Sequence, residues 1–543
     1  MKNRNFGPAT AIRSVRPIFP DDVAYRYAMF RLVTLGPMLC LLAALLAGCS
    51  SLPSLANRST STAYFDTNGT RLGKVLVPVA AAHPGKSGIY PLQDARDAFA
   101  ARVHLAQIAE RSLDIQYYIW RKDMTGILLF NAVRAAADRG VRVRLLLDDN
   151  NTSGLDSILA ALDAHPNIEI RLFNPFMIRS PRWIGYLTDF FRLNRRMHNK
   201  SFTADNQATI IGGRNVGDEY FGAKDDVLFA DLDVMAVGPV VTDVSREFDR
   251  YWASASSYPV DRILPPADSS MMAELASSAA SLERSPATVA YTEALRESPF
   301  VRELVQGRLQ LEWAATQMVS DDPAKGLALA EPNGLLPQKL KAGIGDPTAA
   351  VDLVSPYFVL SAPSLALFTG LAKQGVKIRV LTNSLEATDV AAVHAGYAKR
   401  REALLETGVT LYELRRLSSA AAPRRPRGRL GSSSASSLHA KTFAVDHARA
   451  FVGSFNFDPR SAKLNTEMGF LIDSPALAQR IETVFDTRVP EDAYEVRLAK
   501  NGQLVWIERE DGRMVQHDTE PGTGFWLRAE IWFLSLLPIE WLL

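Results

Sequence analysis

The sequence is poor in cysteine and in histidine. Its 543 residues hold two cysteines, Cys40 and Cys49, and eight histidines. Both cysteines fall within or at the edge of an N-terminal apolar run. If that run is removed in maturation and Cys49 is modified, the rest of the chain has no free thiol. That excludes disulfides and cysteine nucleophiles. There is no H-E-x-x-H and no close His/Cys cluster, so no metal site is signalled. The chain also lacks a strong charge of either sign. Its formal charge is +2, but residues 1–48 hold Lys2, Arg4, Arg13, Arg16, Arg26 and Arg31 against Asp21 and Asp22, which leaves the remainder at −2. Nucleic-acid binders usually carry a basic body, so no nucleic-acid partner is expected. Hydrophobic content of 47% and charged content of 22% are those of a globular protein. The length allows two domains or more.

The apolar run after Arg31, 15 residues long, is short for a membrane span and suits a signal segment. It ends in Leu46-Ala47-Gly48-Cys49, which resembles a bacterial lipoprotein box. The expectation is a signal peptide over 1–48, lipid on Cys49 and a Ser/Ala/Pro-rich tether over 49–85. A plain membrane anchor with an incidental cysteine is the other reading. Translation starting at Met29 would leave 20 residues before Cys49. The lipoprotein reading puts the protein in the bacterial cell envelope, anchored on the periplasmic side of the outer or inner membrane.

What is present is a repeat. "MHNKSFTADNQATIIGGRN" (197–215) and "LHAKTFAVDHARAFVGSFN" (438–456) place His198, Lys200, Asp205, Gly212 and Asn215 in the frame of His439, Lys441, Asp446, Gly453 and Asn456. The copies lie 241 residues apart. With so few histidines, two matched motifs define the architecture. Upstream of each lies a strand–helix–strand pattern: 112–120, 125–140 and 141–149 in the first half, 350–360, 364–375 and 376–384 in the second. Gly140 and Gly375 mark matching helix ends. Such units need crossover connections and helix-covered sheets. The expected fold is α/β, with two lobes over about 86–255 and 300–490. A Ser/Ala-rich helical connector over 256–299 joins them, and a C-terminal extension over 491–543 follows. A basic low-complexity stretch at 415–437 reads as a mobile loop.

Alternate residues of a strand share a face, so each histidine is expected beside its lysine. If the lobes face each other across a pseudo-twofold axis, two imidazoles and two ammonium groups surround one pocket. That set suits a phosphodiester. The lysines, with Asn215 and Asn456, can hold non-bridging oxygens. One neutral histidine can attack phosphorus, and the other can protonate the leaving oxygen. The scheme requires neither a metal nor a cofactor. "FADLDVMAVG" (229–238) and "NTEMGFLID" (465–473) occupy parallel places in the repeats, so Asp231 and Glu467 are candidates to hold the two imidazoles. Asp205 and Asp446 belong to the same motifs as His198, Lys200, His439 and Lys441 and are grouped with that catalytic set, though they read as turn or structural residues in preference to catalytic ones.

Two H-x-K-x4-D motifs, followed by G-G-x-N and G-S-x-N, resemble the phospholipase D superfamily. "LDIQYYIW", "RGVRVRLLLDDNN", "DDPAKG", "VAAVHAGYA" and "GSFNFDPRSAKLNTEMGF" are similar to its bacterial cardiolipin-synthesising branch. The resemblance implies two lobes with one shared active site and a phosphohistidine intermediate. It further implies transfer of a phosphatidyl group to phosphatidylglycerol, with His198 as nucleophile and His439 as acid/base. Phosphatidylethanolamine is a candidate donor, and a membrane the expected surroundings. A hydrolytic phospholipase D, a phosphodiesterase nuclease and an inactive envelope-binding protein are the competing readings. "RWIGYLTDFFRL" (182–193) reads as an apolar approach for lipid or as helix core. The segment "GFWLRAEIWFLSLLPIEWLL" (524–543) holds three of the eight tryptophans. It is either the last piece of core or an interfacial segment.

Overall fold

A computed structural model describes residues 51–223, 229–268, 270–271, 277, 280–282, 284–416, 437–510 and 512–543. Cys49, the leader and nearly all of the 415–437 loop lie outside those residues. Residues 177–188, with a helix at Trp183–Thr188, fall with residues 51–52 in a unit separate from the main body. The run 182–193 is thus two short helices rather than one, the second being Phe190–Leu193.

Lobe 1 contains β1 (Ser87–Leu92), β2 (Ser112–Ile119), β3 (Arg142–Asn151), β4 (Ile168–Phe173), β5 (Ser201–Ala204), β6 (Ala208–Gly212), the short β7 (Phe229–Ala230), β8 (Asp233–Val237) and β9 (Ser257–Pro259). Strand pairings give the sheet order β1-β8-β6-β5-β2-β3-β4-β9, with β2, β3 and β4 parallel. Lobe 2 repeats the plan. It contains β10 (Glu312–Ser320), β11 (Ala350–Val354), β12 (Lys377–Asn383), β13 (Thr410–Leu414), the short β14 (Ser437–Leu438), β15 (Thr442–Val445), β16 (Arg449–Gly453), β17 (Met468–Asp473), β18 (Ala493–Leu498), β19 (Leu504–Glu510) and β20 (Arg513–His517). Its order is β10-β17-β16-β15-β11-β12-β13-β18, extended by β19 and β20, with β11, β12 and β13 parallel.

The two sheets are one 18-stranded sheet because β10 serves both. Its residues 312–314 pair with β1, and its residues 315–320 pair with β17. The parallel strands are buried hydrophobic runs (Val143, Leu145 and Leu147; Ile378, Val380 and Leu381) under helices Met124–Asp138 and Ala362–Lys373. Each helix gives way to its next strand through a left-handed glycine, Gly140 (φ 93°) or Gly375 (φ 92°). Equivalent buried ion pairs tie the strands: Arg144 donates Nε to Asp114 at 2.7 Å, and Arg379 donates Nε to Asp352 at 2.6 Å.

Several expectations need correcting. The strand expected over 350–360 stops at Val354, before Ser355-Pro356, where proline offers no N–H to continue the ladder. The expected tether over 49–85 is not free where it is described. Arg144 and Arg171 donate to the carbonyls of Ser61 and Ser59, the Tyr64 ring lies 3.8 Å under the Arg142 guanidinium, and Arg71–Ala81 is a helix. In the connector, Tyr291 packs on Phe99 and donates to the Phe221 carbonyl, which fixes it to lobe 1.

Asp205 and Asp446, placed with the catalytic set, do not reach the chemistry. They sit in the hairpin turns β5–β6 and β15–β16. Asp205 and Asn206 have φ near +50°, as do Asp446 and His447, the signature of a type I′ turn, where Asp and Asn are tolerated. Their carboxylates clamp backbone amides. Asp205 accepts from the N–H groups of Glu110, Arg111 and Ser112, and Asp446 from those of Thr348, Ala349 and Ala350. Each carboxylate therefore ties the start of a central strand, β2 or β11, to the hairpin that follows a histidine. Asp205→Ala is expected to lower stability by about 2–4 kcal/mol in chemical denaturation, because three amides lose a buried charged acceptor. Asp446→Ala is expected to cost less, since Asp446 is itself only partly buried. Turnover per folded molecule should survive in both variants.

Candidate active site

The two H-x-K segments lie just before β5 and β15, and each is stitched by backbone to the other lobe. His198 N–H donates to the Thr466 carbonyl at 2.9 Å, and Thr466 N–H returns a bond to the Arg196 carbonyl at 2.9 Å. At the pseudo-equivalent place, β14 runs parallel to β7, and His439 N–H donates to the Ala230 carbonyl at 2.9 Å. Residues 230 and 466 directly precede Asp231 and Glu467. The imidazoles therefore meet carboxylates from across the lobe boundary. His198 Nδ1 lies 2.8 Å from Glu467 Oε2, and His439 Nδ1 lies 2.6 Å from Asp231 Oδ2. Both carboxylates are fully buried. With each Nδ1 held at a carboxylate, Nε2 is the reactive nitrogen of each ring.

The glycines of the two motifs are explained by this approach. A Cβ on Gly213 would meet Asp231 Oδ1 at 2.1 Å, and one on Gly453 would meet the Met468 carbonyl at 2.4 Å. The place of Gly213 is taken in lobe 2 by Ser454, whose hydroxyl donates to Glu467 Oε2 at 2.5 Å. The lysines curl back on their own motifs: Lys200 Nζ donates to the His198 carbonyl at 2.6 Å, and Lys441 Nζ to that of His439. Among the described residues neither ammonium has a carboxylate within ion-pair distance.

Burial dominates the electrostatics. It pushes Lys200 down to about 7 and lowers Lys441 as well. Burial and the two lysines hold His198 well below its ordinary value. Burial and Lys441 hold His439 at about 4, against the pull of Asp231. Glu467 is raised by burial to about 7. Burial acts on Asp231 too, but His439, Lys441 and Arg214 outweigh it and keep that carboxyl at about 2. The lobes are thus unequal. His439 faces a firm anion and has 16% of its side chain exposed, whereas His198 has 8% and faces the softer acid.

The two asparagines part company. Asn215 is used up in the fold, accepting from Ile119 N–H and donating to the Tyr220 hydroxyl. The Asn456 Oδ1 is buried without a hydrogen-bond partner among the described residues. Four further residues shape the site. Tyr118 and Tyr220 stand edge-on to His198 and His439, with ring centroids 4.9 and 5.2 Å away. Asp321 accepts from Glu467 N–H at 2.9 Å and is paired with the buried Lys325 at 2.8 Å. The sequence marked Asp321 and Lys325 only as part of "DDPAKG"; their buried Asp/Lys spacing of four was the available signal. Tyr118 and Tyr220 carried no such signal. The described residues contain no cluster of three or more His, Cys, Asp or Glu able to hold a metal.

Two facing lobes with crossed histidine–carboxylate pairs and two buried lysines define a phosphodiester-exchange site of the phospholipase D type. The family model described as "Cardiolipin synthase, PLD-like domain" matches residues 103–252 and again 340–489, and the chain belongs to that family. It is 51% identical to cardiolipin synthase C of Escherichia coli (strain K12), over 87% of this chain and all of that one. It is 31% identical to an uncharacterized protein of Helicobacter pylori (strain ATCC 700392 / 26695), over 90% of this chain and 96% of that one. Phosphatidylserine synthase of Haemophilus influenzae Rd KW20 has a similar fold, with a TM-score of 0.54 at 12% identity, over 86% of this chain and 99% of that one.

An anion should bind best while Lys200 is protonated. Sulfate stays a dianion across the neutral range, so its affinity is expected to fall as pH rises through about 7. The limiting slope is about tenfold per pH unit for one linked proton. Lys200→Met should bind sulfate weakly and with a flatter pH profile in calorimetric titration.

Proposed function

We propose that this protein is a phosphatidyltransferase that makes cardiolipin, with phosphatidylglycerol as acceptor. The observation that carries the reading is the pair of buried lysines with no carboxylate in ion-pair contact among the described residues, set beside two crossed histidine–carboxylate pairs. A bound phosphodiester brings negative charge that both ammonium groups can hold. In the first half-reaction His198 Nε2 attacks phosphorus, a P–N bond forms, and the P–O bond to the donor's head-group alcohol breaks. His439 enters this step protonated on Nε2, a state that the negative charge of the bound phosphodiester favours over the neutral ring, and gives that proton to the departing oxygen. In the second, His439 takes the proton from the acceptor hydroxyl, that oxygen attacks phosphorus, and the P–N bond breaks to restore His198. One phosphoester replaces another, so no nucleotide is consumed.

The assignment of roles rests on the inequality of the lobes. The deeper, more strongly depressed His198 is the nucleophile. His439, more open and backed by a carboxylate held at about 2, exchanges protons with the alcohols that come and go. Lys200 and Lys441 hold the non-bridging oxygens, with the Asn456 amide beside them. Asn215 contributes by fixing Tyr220 against His439. Phosphatidylglycerol and phosphatidylethanolamine are the proposed donors, and a membrane the proposed surroundings. Lipid on Cys49, a signal peptide over 1–48 and a periplasm-facing anchor complete the proposal.

His198→Ala and His439→Ala should each lower transfer by about a thousandfold or more without unfolding the protein. EDTA should leave turnover unchanged. Lipid extracts from a cardiolipin-free bacterial host expressing the protein are the readout. Cardiolipin that depends on both histidines supports the reading, and phosphatidic acid in its place would mean hydrolysis. Mass spectrometry of the purified protein should find diacylglyceryl-cysteine at residue 49; an intact leader would refute the anchor.

A further inference from the structure

Segment 524–543 serves two purposes, and the two readings of its sequence each hold for one face. The helix Phe525–Leu536 lays Leu527, Ile531 and Leu534 on Leu385 and Ala395 of lobe 2, and Ile531 is only 5% exposed. Most of its large apolar side chains point away, as does the exposed carboxylate of Glu530. Phe525, Trp526, Trp532, Phe533 and Leu536 are 57–83% exposed, and Trp541 beyond them is 50% exposed. This surface is not needed to hold the segment in place. Glu540 pairs with Lys399 and Arg400, and the carbonyls of Leu542 and Leu543 accept from Arg460. An apolar surface of this size left in water is costly.

Its far end lies beside the chemistry. Arg460, which holds Leu542 and Leu543, also donates Nη2 to Asn194 Oδ1 at 2.7 Å, four residues before His198. The Trp541 ring meets Phe190 at 6.5 Å, Phe190 meets Phe191 at 5.8 Å, and Phe191 is 81% exposed. The aromatic surface therefore runs from the helix onto the stretch of lobe 1 that delivers His198. Cations stand next to it. Arg195 donates to the carbonyls of Lys325 and Lys463, Lys463 is exposed, and neither has a carboxylate at ion-pair distance among the described residues.

We propose that the exposed face of 525–541, with Phe191, Arg195 and Lys463, is a rim that seats the His198/His439 pocket on an anionic phospholipid bilayer. The charge decides the occupant. A second copy or an apolar protein segment would cover the tryptophans but leave the cations unmatched, whereas anionic head groups match them and the interfacial zone favours tryptophan. No helix among the described residues is long and apolar enough to cross a membrane, so the rim lies along the surface. The proposal rests on the phosphatidyltransferase reading, because the bilayer is then both the platform and the source of substrate.

The test uses the full chain and does not depend on the proposed anchor. Vesicles of phosphatidylglycerol brominated in the acyl chains quench only those tryptophans that enter the bilayer. Trp526, Trp532 and Trp541 are three of eight, and wild-type emission should fall by about a third on vesicle addition. The triple variant Trp526→Ser, Trp532→Ser, Trp541→Ser should show almost no such quenching. Its turnover should drop at least tenfold on vesicles yet stay near wild type on dissolved short-chain phosphatidylglycerol. Arg195→Gln with Lys463→Gln should weaken quenching on phosphatidylglycerol vesicles and leave the weaker quenching on neutral vesicles unaltered. Equal quenching of wild type and triple variant would overturn the proposal, as would shielding of these tryptophans by self-association without lipid. Wild-type protein that is quenched but turns over neither substrate form would overturn the transferase reading and leave the docking surface standing.

Discussion

The rest of the structure depends on an exchange across the lobe boundary: each imidazole is held by a carboxylate that belongs to the other lobe. Glu467 serves His198 and Asp231 serves His439. Neither lobe alone contains an oriented histidine. The exchange also explains why the boundary is sealed by main chain. Backbone bonds from His198 to Thr466 and from His439 to Ala230 fix both rings to the segments that carry their carboxylates. A side-chain contact by itself would let the rings drift by more than a phosphoryl transfer tolerates. Strand β10, paired along part of its length with each lobe, carries the same constraint into the sheet.

Within that frame the chemistry is a matter of buried charge. The lysines are as buried as the carboxylates, and burial lowers both ammonium groups while Glu467 and Asp231 pull the other way. A phosphodiester has the charge and the oxygens to engage both ammonium groups. Departures from twofold symmetry then divide the labour. Glycine at 213 against serine at 454, and aspartate at 231 against glutamate at 467, give the two histidines different acidities and different access to solvent.

Much of this was legible in the sequence, for an identifiable reason. Repetition exposes both lobes, both H-x-K segments and the positions of Asp231 and Glu467, because equivalent places recur at equal offsets. The crossing was not legible. Offsets within a chain do not say which imidazole a carboxylate meets after two lobes fold face to face. Motif membership alone grouped Asp205 and Asp446 with the catalytic residues, whereas the turn reading of the same positions holds: each sits in a hairpin turn and clamps backbone. The stretch before Arg71 looked like a loose tether because its side chains are small and polar. What binds it is its backbone carbonyls, taken up by arginines of lobe 1, and a sequence gives no sign of that. The segment 524–543 resisted a single reading because one helix carries both a docked stripe and an exposed face.

The crossed pairing has a consequence for ancestry. A carboxylate that serves its neighbour's histidine is self-complementary under a twofold rotation. Two separate copies of one lobe would therefore complete two identical pairs between them, as an isologous dimer does. Joining the copies end to end would leave every histidine with the partner it already had. Only after fusion could the halves drift apart, one residue at a time. Replacing aspartate with glutamate, or glycine with serine, would then change one half-site without disturbing the other. An inequality like that of His198 and His439 is open only to a single chain that owns both halves of its site.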